Sequence, residues 1–111
     1  MNSKDRYIFE KILEYCDQLQ KTRERLGGYE SFMDDFLYQN AVCMCLLQIG
    51  ELAGKLTQET REAMPHIPWR AIRGLRNVFA HDYGSIVLDP IWHTITVDVP
   101  ELEEEIRKAM I

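Results

Sequence analysis

The sequence predicts an all-α fold, an up-and-down bundle of four longer helices plus one short helix, in a single domain covering residues 1–111. Three observations carry that expectation. Apolar residues recur at spacings of three and four along most of the chain, the period of an amphipathic helix. Six glycines and four prolines in 111 residues leave few turns, so long elements are expected. The one alternating β-branched stretch, Ile95-Thr96-Val97-Asp98-Val99, would have no second strand to pair with and is read as helix.

The first helix runs from Lys4 to Leu26. Ile8, Ile12, Tyr15 and Leu19 form its buried stripe, widened by Phe9, Leu13 and Cys16, while Glu10, Glu14, Lys21 and Glu24 face water. Gly27-Gly28 stops it, because glycine takes the left-handed conformation without steric cost. Ser31 and Asp34 resemble a capping box that opens the second helix. Its inner face is expected to run Phe36–Asn40–Cys43–Leu47, flanked by Met33, Leu37, Met44 and Leu46. The apolar loading of residues 41–47 implies burial on more than one side, so this helix is expected to be central. It continues to about Leu56, and Gly50 within it points to a close helix approach, since glycine there costs about 1 kcal/mol relative to alanine.

Thr57 caps a short helix ending near Met64. Pro65-His66-Ile67-Pro68 is a rigid connector, and Pro68 suits the first turn of a helix from Trp69 to about Tyr83, stopped by Gly84. Asp89 and Pro90 read as N-cap and first residue of the last helical region, which Pro100 is expected to kink before Glu101–Met110.

Thirteen Lys and Arg against eighteen Asp and Glu give a net charge of −5. That balance argues against coating nucleic acid by bulk charge. The charge is uneven, however. Residues 63–81 carry Arg70, Arg73 and Arg76 with His66 and His81 and no carboxylate, whereas residues 101–105 hold four glutamates. One basic helix able to collect phosphates is therefore embedded in an acidic chain. The three cysteines, Cys16, Cys43 and Cys45, are an odd number with no secretory leader, and they read as buried small hydrophobes in a reducing compartment. The apolar run 41–47 is too short to cross a bilayer, and a soluble, cytoplasmic protein is expected.

The chemistry concentrates in Arg76-Asn77-Val78-Phe79-Ala80-His81-Asp82-Tyr83. Asn77 and His81, four apart, share a helix face; Arg73, Arg76, Ala80 and Tyr83 form the neighbouring stripe. Arg76 and His81 are about 140° apart around an ideal helix. Either the arginine bends round to close that gap, or two copies of the helix pack across a two-fold axis and pool their groups, the geometry favoured here. His81 is the proton carrier of the motif and Arg76 a fixed cation for a phosphorane-like transition state. No carboxylate cluster or Cys/His spacing suggests a metal, and no cofactor is implied. Histidine plus arginine without metal suits RNA, whose 2′-hydroxyl is an internal nucleophile. Trp69 and Trp92 read as packing anchors, His66 and His93 as surface or capping groups. Glu51 is either a solvated helix residue or one that orients a neighbour. Asp82 either tunes His81 or faces solvent.

These residues resemble the HepT-like HEPN toxins of prokaryotic toxin–antitoxin modules. The R-x-x-x-x-H-x-Y signature stands as Arg76, His81 and Tyr83, with the favoured polar residue as Asn77. Leu47-Gln48-Ile49-Gly50-Glu51, Ile67-Pro68-Trp69, Arg73-Gly74-Leu75 and Trp92 also follow the family pattern. The resemblance implies a HEPN-like bundle and a metal-independent endoribonuclease of a type VII-like toxin–antitoxin module. It implies a homodimer with Arg76 and His81 of both subunits lining one cleft. The implied partner is a small MntA-like nucleotidyltransferase antitoxin that transfers AMP from ATP onto Tyr83, adding charge and bulk beside the RNA site. Arg70 and Arg73 would bind RNA phosphates. The alternative is a non-catalytic helical nucleotide- or RNA-binding subunit of a nucleotidyltransferase complex; a third reading is a dimerising bundle with a basic stripe.

Overall fold

The computed structural model describes residues 1–81 and 87–111, with the backbone alone for residues 78–81. In chain order the helices are α1 (Ser3–Leu26), α2 (Tyr29–Asp34), α3 (Phe36–Gly54), α4 (Gln58–Ala63), α5 (Trp69–His81), α6 (Leu88–His93) and α7 (Val99–Ala109). A π-helical turn, Thr94–Asp98, joins α6 to α7, and no strand occurs among the described residues. The fold is the expected all-α bundle. Its four long elements are α1, α3, α5 and the combined α6–α7.

Helix α3 is central, packed on α1 along one side and on α5 along another. Its buried residues include Tyr38, Val42, Cys43, Cys45, Leu46, Ile49 and Ala53. The expected inner face was therefore rotated: Phe36 is 67%, Leu37 65% and Met44 54% exposed. Composition alone loaded the helix with apolar residues nearly all round, which hides the direction of burial. From α1, Ile8, Phe9, Ile12, Cys16 and Leu19 enter the core, and Leu102 and Ile106 of α7 join them. Phe32, Tyr38 and Trp92 close one end as an aromatic cluster, the Phe32 and Tyr38 rings 5.1 Å apart and edge-on. The Tyr38 hydroxyl donates to the Gly27 carbonyl at 2.9 Å. Gly27 has φ +107°, the conformation that ends α1 as anticipated.

Two local expectations need correction. Ser31 and Asp34 open no helix: α2 begins after Gly28, and Ser31 lies inside it. The chain breaks at the extended Asp35, whose carboxylate accepts from Leu37 N at 2.9 Å and so caps α3. Gln39 Nε2 then donates to the Phe32 and Met33 carbonyls at the end of α2. Asp89 is likewise not an N-cap. Helix α6 starts two residues earlier, after Val87, and Pro90 still falls in the first turn, where a missing N–H leaves nothing unsatisfied. The Asp89 carboxylate instead accepts from the Tyr29 hydroxyl, a bond that raises the Tyr29 pKa. Pro68 sits just ahead of α5, its carbonyl accepting from Ile72 N at 3.1 Å. At Pro100 the chain answers the absent N–H with the π turn before it, where Val99 N donates to Thr94 O.

The fully buried Asp5 was not anticipated. Its carboxylate accepts from Thr57 Oγ1 and Thr60 Oγ1, each at 2.6 Å, and from Thr57 N at 3.2 Å. It thereby ties the start of α1 to the start of α4. Burial pulls the Asp5 pKa upward, but these donors outweigh it and hold the value below the ordinary carboxylate range. Asp5→Ala is expected to lower stability by about 2 kcal/mol in urea unfolding, because three donors lose their acceptor. Because the folded pKa is depressed, the contribution is present at neutral pH and fades below about pH 4. Asp5→Asn should flatten that acid limb of the stability profile.

The buried thiols behave as predicted from sequence. Burial pushes Cys16 up to about 12 and Cys43 to about 11, so both stay protonated and inert. Among the described residues, no helix is long and apolar enough to cross a membrane.

Candidate active site on helix α5

The local sequence of α5 gives it two unlike sides. Ile72 and Leu75 are half-buried against the core, while Arg70, Arg73, Arg76 and Asn77 remain exposed. What brings the exposed side against α3 is Gly50. A Cβ placed there would stand 2.8 Å from the Arg76 backbone nitrogen and 2.9 Å from the Ile72 carbonyl oxygen. The two helices thus meet backbone to backbone, the close approach that the mid-helix glycine predicted.

That approach decides where the next residue on α3 points. Glu51 Oε1 accepts from Arg76 Nε at 2.5 Å, and Arg76 Nη1 donates to Asn77 Oδ1 at 3.2 Å. The guanidinium is therefore held at two points, by a carboxylate and by an amide, and Glu51 orients its neighbour. The shallow cleft around it is lined by Lys55, Arg70, Arg73, Arg76, Asn77 and Glu51 over a floor that includes Gly50, Gly54 and Gly74. Four cations face one carboxylate there, which favours anions. Lys55 was missed from sequence. Its signal was its position four residues beyond Glu51 on the same helical face.

Of the residues singled out in the sequence, the structure gathers Arg70, Arg73, Arg76 and Asn77 in one cleft. His81 is the last residue of α5, four positions beyond Asn77 and so on the same helical face, roughly 6 Å further along the axis. Its side chain, and Asp82 and Tyr83 entirely, lie outside the described residues. Trp69 and Trp92 are packing anchors. Trp69 Nε1 donates to the Arg61 and Met64 carbonyls, both at 3.1 Å, and the Arg23 guanidinium lies 5.6 Å from the Trp92 ring. His66 and His93 stand at the surface beside Glu105 and Asp98.

A family model described as "Ribonuclease HepT-like" matches residues 12–109, which include α3, α5 and the whole cleft. The chain belongs to the HepT-like ribonuclease family. It is similar over 107 residues, 34% identical, to a protein of Caldanaerobacter subterraneus subsp. tengcongensis named "Putative RNase", covering 95% of this chain and 93% of that one. A protein of Methanocaldococcus jannaschii with the same printed name is 33% identical over 99 residues, 89% of this chain and 81% of its own. A third relative, named "Probable ribonuclease HepT", from Thermococcus cleftensis, is 30% identical over 100 residues and 89% of each chain. No solved structure gives a significant match. As a HepT-like ribonuclease, the chain is an RNA nuclease.

Proposed function

We propose that this HepT-like ribonuclease is a metal-independent endoribonuclease toxin of a type VII-like module, cutting RNA with Arg76 and His81. The observation that carries the reading is the clamped guanidinium of Arg76, fixed by Glu51 and Asn77 in a cleft where cations outnumber carboxylates. With Nε on Glu51, the remaining guanidinium protons meet a phosphate without reorganising, which is what charge stabilisation requires. His81 takes the proton of the 2′-hydroxyl; the 2′-oxygen attacks phosphorus, the P–O5′ bond breaks, and the leaving oxygen is reprotonated. Arg76 neutralises the charge that builds on the phosphoryl oxygens. Asn77 supports Arg76, and Arg70 and Arg73 bind flanking phosphates.

The active unit is a homodimer. Leu37, Met44 and Glu51 recur every seven residues along one line of α3, so the exposed apolar side chains lead directly to the cleft. A second copy covering Phe36, Leu37 and Met44 would bring two clefts together and so pool Arg76 and His81 of both. The cognate partner is an MntA-like nucleotidyltransferase that silences the enzyme by adding AMP to Tyr83.

Purified protein should cleave RNA in the presence of EDTA and leave 2′,3′-cyclic phosphate ends, whereas His81→Ala should cleave none. Activity that vanishes with EDTA, or persists in His81→Ala, would overturn the mechanism. With the cognate transferase and ATP, intact mass should rise by AMP increments in wild type and stay constant in Tyr83→Phe.

A further inference from the structure

Helix α5 has a second open side, turned away from the cleft. Between it and the π turn and α7 runs a groove of about 300 Å³, within the size range of ligand sites. Its floor is apolar, made by Ile67, Ile72, Leu75 and Leu102. Its rim is acidic: Asp98, Glu101, Glu104 and Glu105. Among the described residues, the charged groups reaching those carboxylates are few. His66, from the connector before α5, bonds Glu105 at 2.6 Å, and this contact holds the Glu105 pKa below the ordinary carboxylate range. Lys108 lies 3.4 and 3.5 Å from Glu104 and Glu105, and His93 lies 3.7 Å from Asp98. Among the described residues, helix α5 contributes no charge to this side of the groove and supplies Ala71, Ile72 and Leu75 to its lining.

The two sides of α5 thus have opposite polarity. An anionic chain such as RNA is drawn to the cleft and repelled by the groove. We propose that the groove docks a cationic amphipathic segment of a protein partner. Aliphatic side chains of that segment lie on the floor between Ile72, Leu75 and Leu102, and flanking lysines or arginines meet the rim carboxylates. The occupant would rest on the helix that carries Arg76, one residue from it at Leu75, so a partner could hold the enzyme without covering its RNA face.

The test uses the full chain and a fluorescein-labelled helical peptide of about 18 residues, with leucines on one face and lysines on the other. Anisotropy at about 0.15 M salt should give a Kd on the order of 10 μM. The double variant Glu101→Lys/Glu104→Lys, both surface positions, should weaken binding at least about tenfold, and so should Ala71→Tyr, which fills the floor. A peptide of equal charge with serine in place of leucine should also bind about tenfold more weakly. Equal binding of the serine peptide would mean bulk attraction alone and overturn the groove. Unchanged affinity in both variants, or no binding to wild type, would overturn it too. If sedimentation shows that the Ala71→Tyr substitution dissociates copies of this chain, the occupant is a second copy and the partner assignment is wrong.

Discussion

Arg76→Lys is expected to lower kcat/KM for RNA cleavage by about 100-fold, and Arg76→Ala by about 1000-fold. The reason lies in how many contacts the side chain makes at once. Arg76 gives Nε to Glu51 and Nη1 to Asn77, and a planar guanidinium still has protons left for phosphate. A lysine ammonium is one point charge on a flexible stem. Placed beside Glu51 it would pair with that carboxylate and be lost to the phosphate. Arg70→Ala and Arg73→Ala should behave differently, raising KM a few-fold and flattening the salt dependence by about one phosphate each, with kcat little changed. Glu51→Ala should lower kcat about tenfold, and combined with Arg76→Ala should add almost nothing further, because Glu51 acts through the arginine. Steady-state cleavage of a fluorogenic oligonucleotide measures every one of these variants. Near-wild-type turnover in Arg76→Lys would sink the account of a clamped guanidinium.

The helices were legible because burial leaves a periodic trace. Ile8, Ile12 and Leu19 announced the inner face of α1, and Gly27 announced its end. The segment 95–99 shows propensity overruled by context: it is β-branched, yet without a partner strand its backbone groups are satisfied only within a helix, here a π turn beside Pro100. What failed was direction and capping. The break at Asp35 depends on Gln39 reaching back seven residues to the end of α2, and no local pattern encodes that. Nothing in the local sequence marks Asp5, because its partners Thr57 and Thr60 lie more than fifty residues away.

The candidate site was legible to the extent that it lies on one helix. Arg70, Arg73, Arg76 and Asn77 are spaced so that a single helical face displays them, and an acid-free stretch marks them as a set. The contribution of α3 was only half visible. Gly50 signalled close approach but not against which helix, and the orienting role of Glu51 and the presence of Lys55 follow from that contact.

Gly50 is therefore the position where fold and chemistry depend on the same few atoms. Gly50→Val is expected to destabilise the protein by about 3 kcal/mol, because the added methyls meet the backbone of α5 rather than a side chain that could turn aside. Even the single Cβ of Gly50→Ala would stand 2.8 Å from Arg76 N and 2.9 Å from Ile72 O. The propensity gain from replacing a helical glycine, up to about 1 kcal/mol, is then offset by the outward shift of α5. That shift also pulls Arg76 from Glu51, so Gly50→Ala should lose on the order of tenfold in cleavage while remaining folded. Gly54→Ala is the matched comparison on the same helix. Its Cβ would find Arg73 Nε at 3.8 Å, an ordinary contact, and it should be neutral or slightly stabilising. Urea unfolding and cleavage rates on the three variants separate the two effects. If Gly50→Ala matched Gly54→Ala in both stability and activity, the contact of α3 with α5 would not be what sets the position of Arg76.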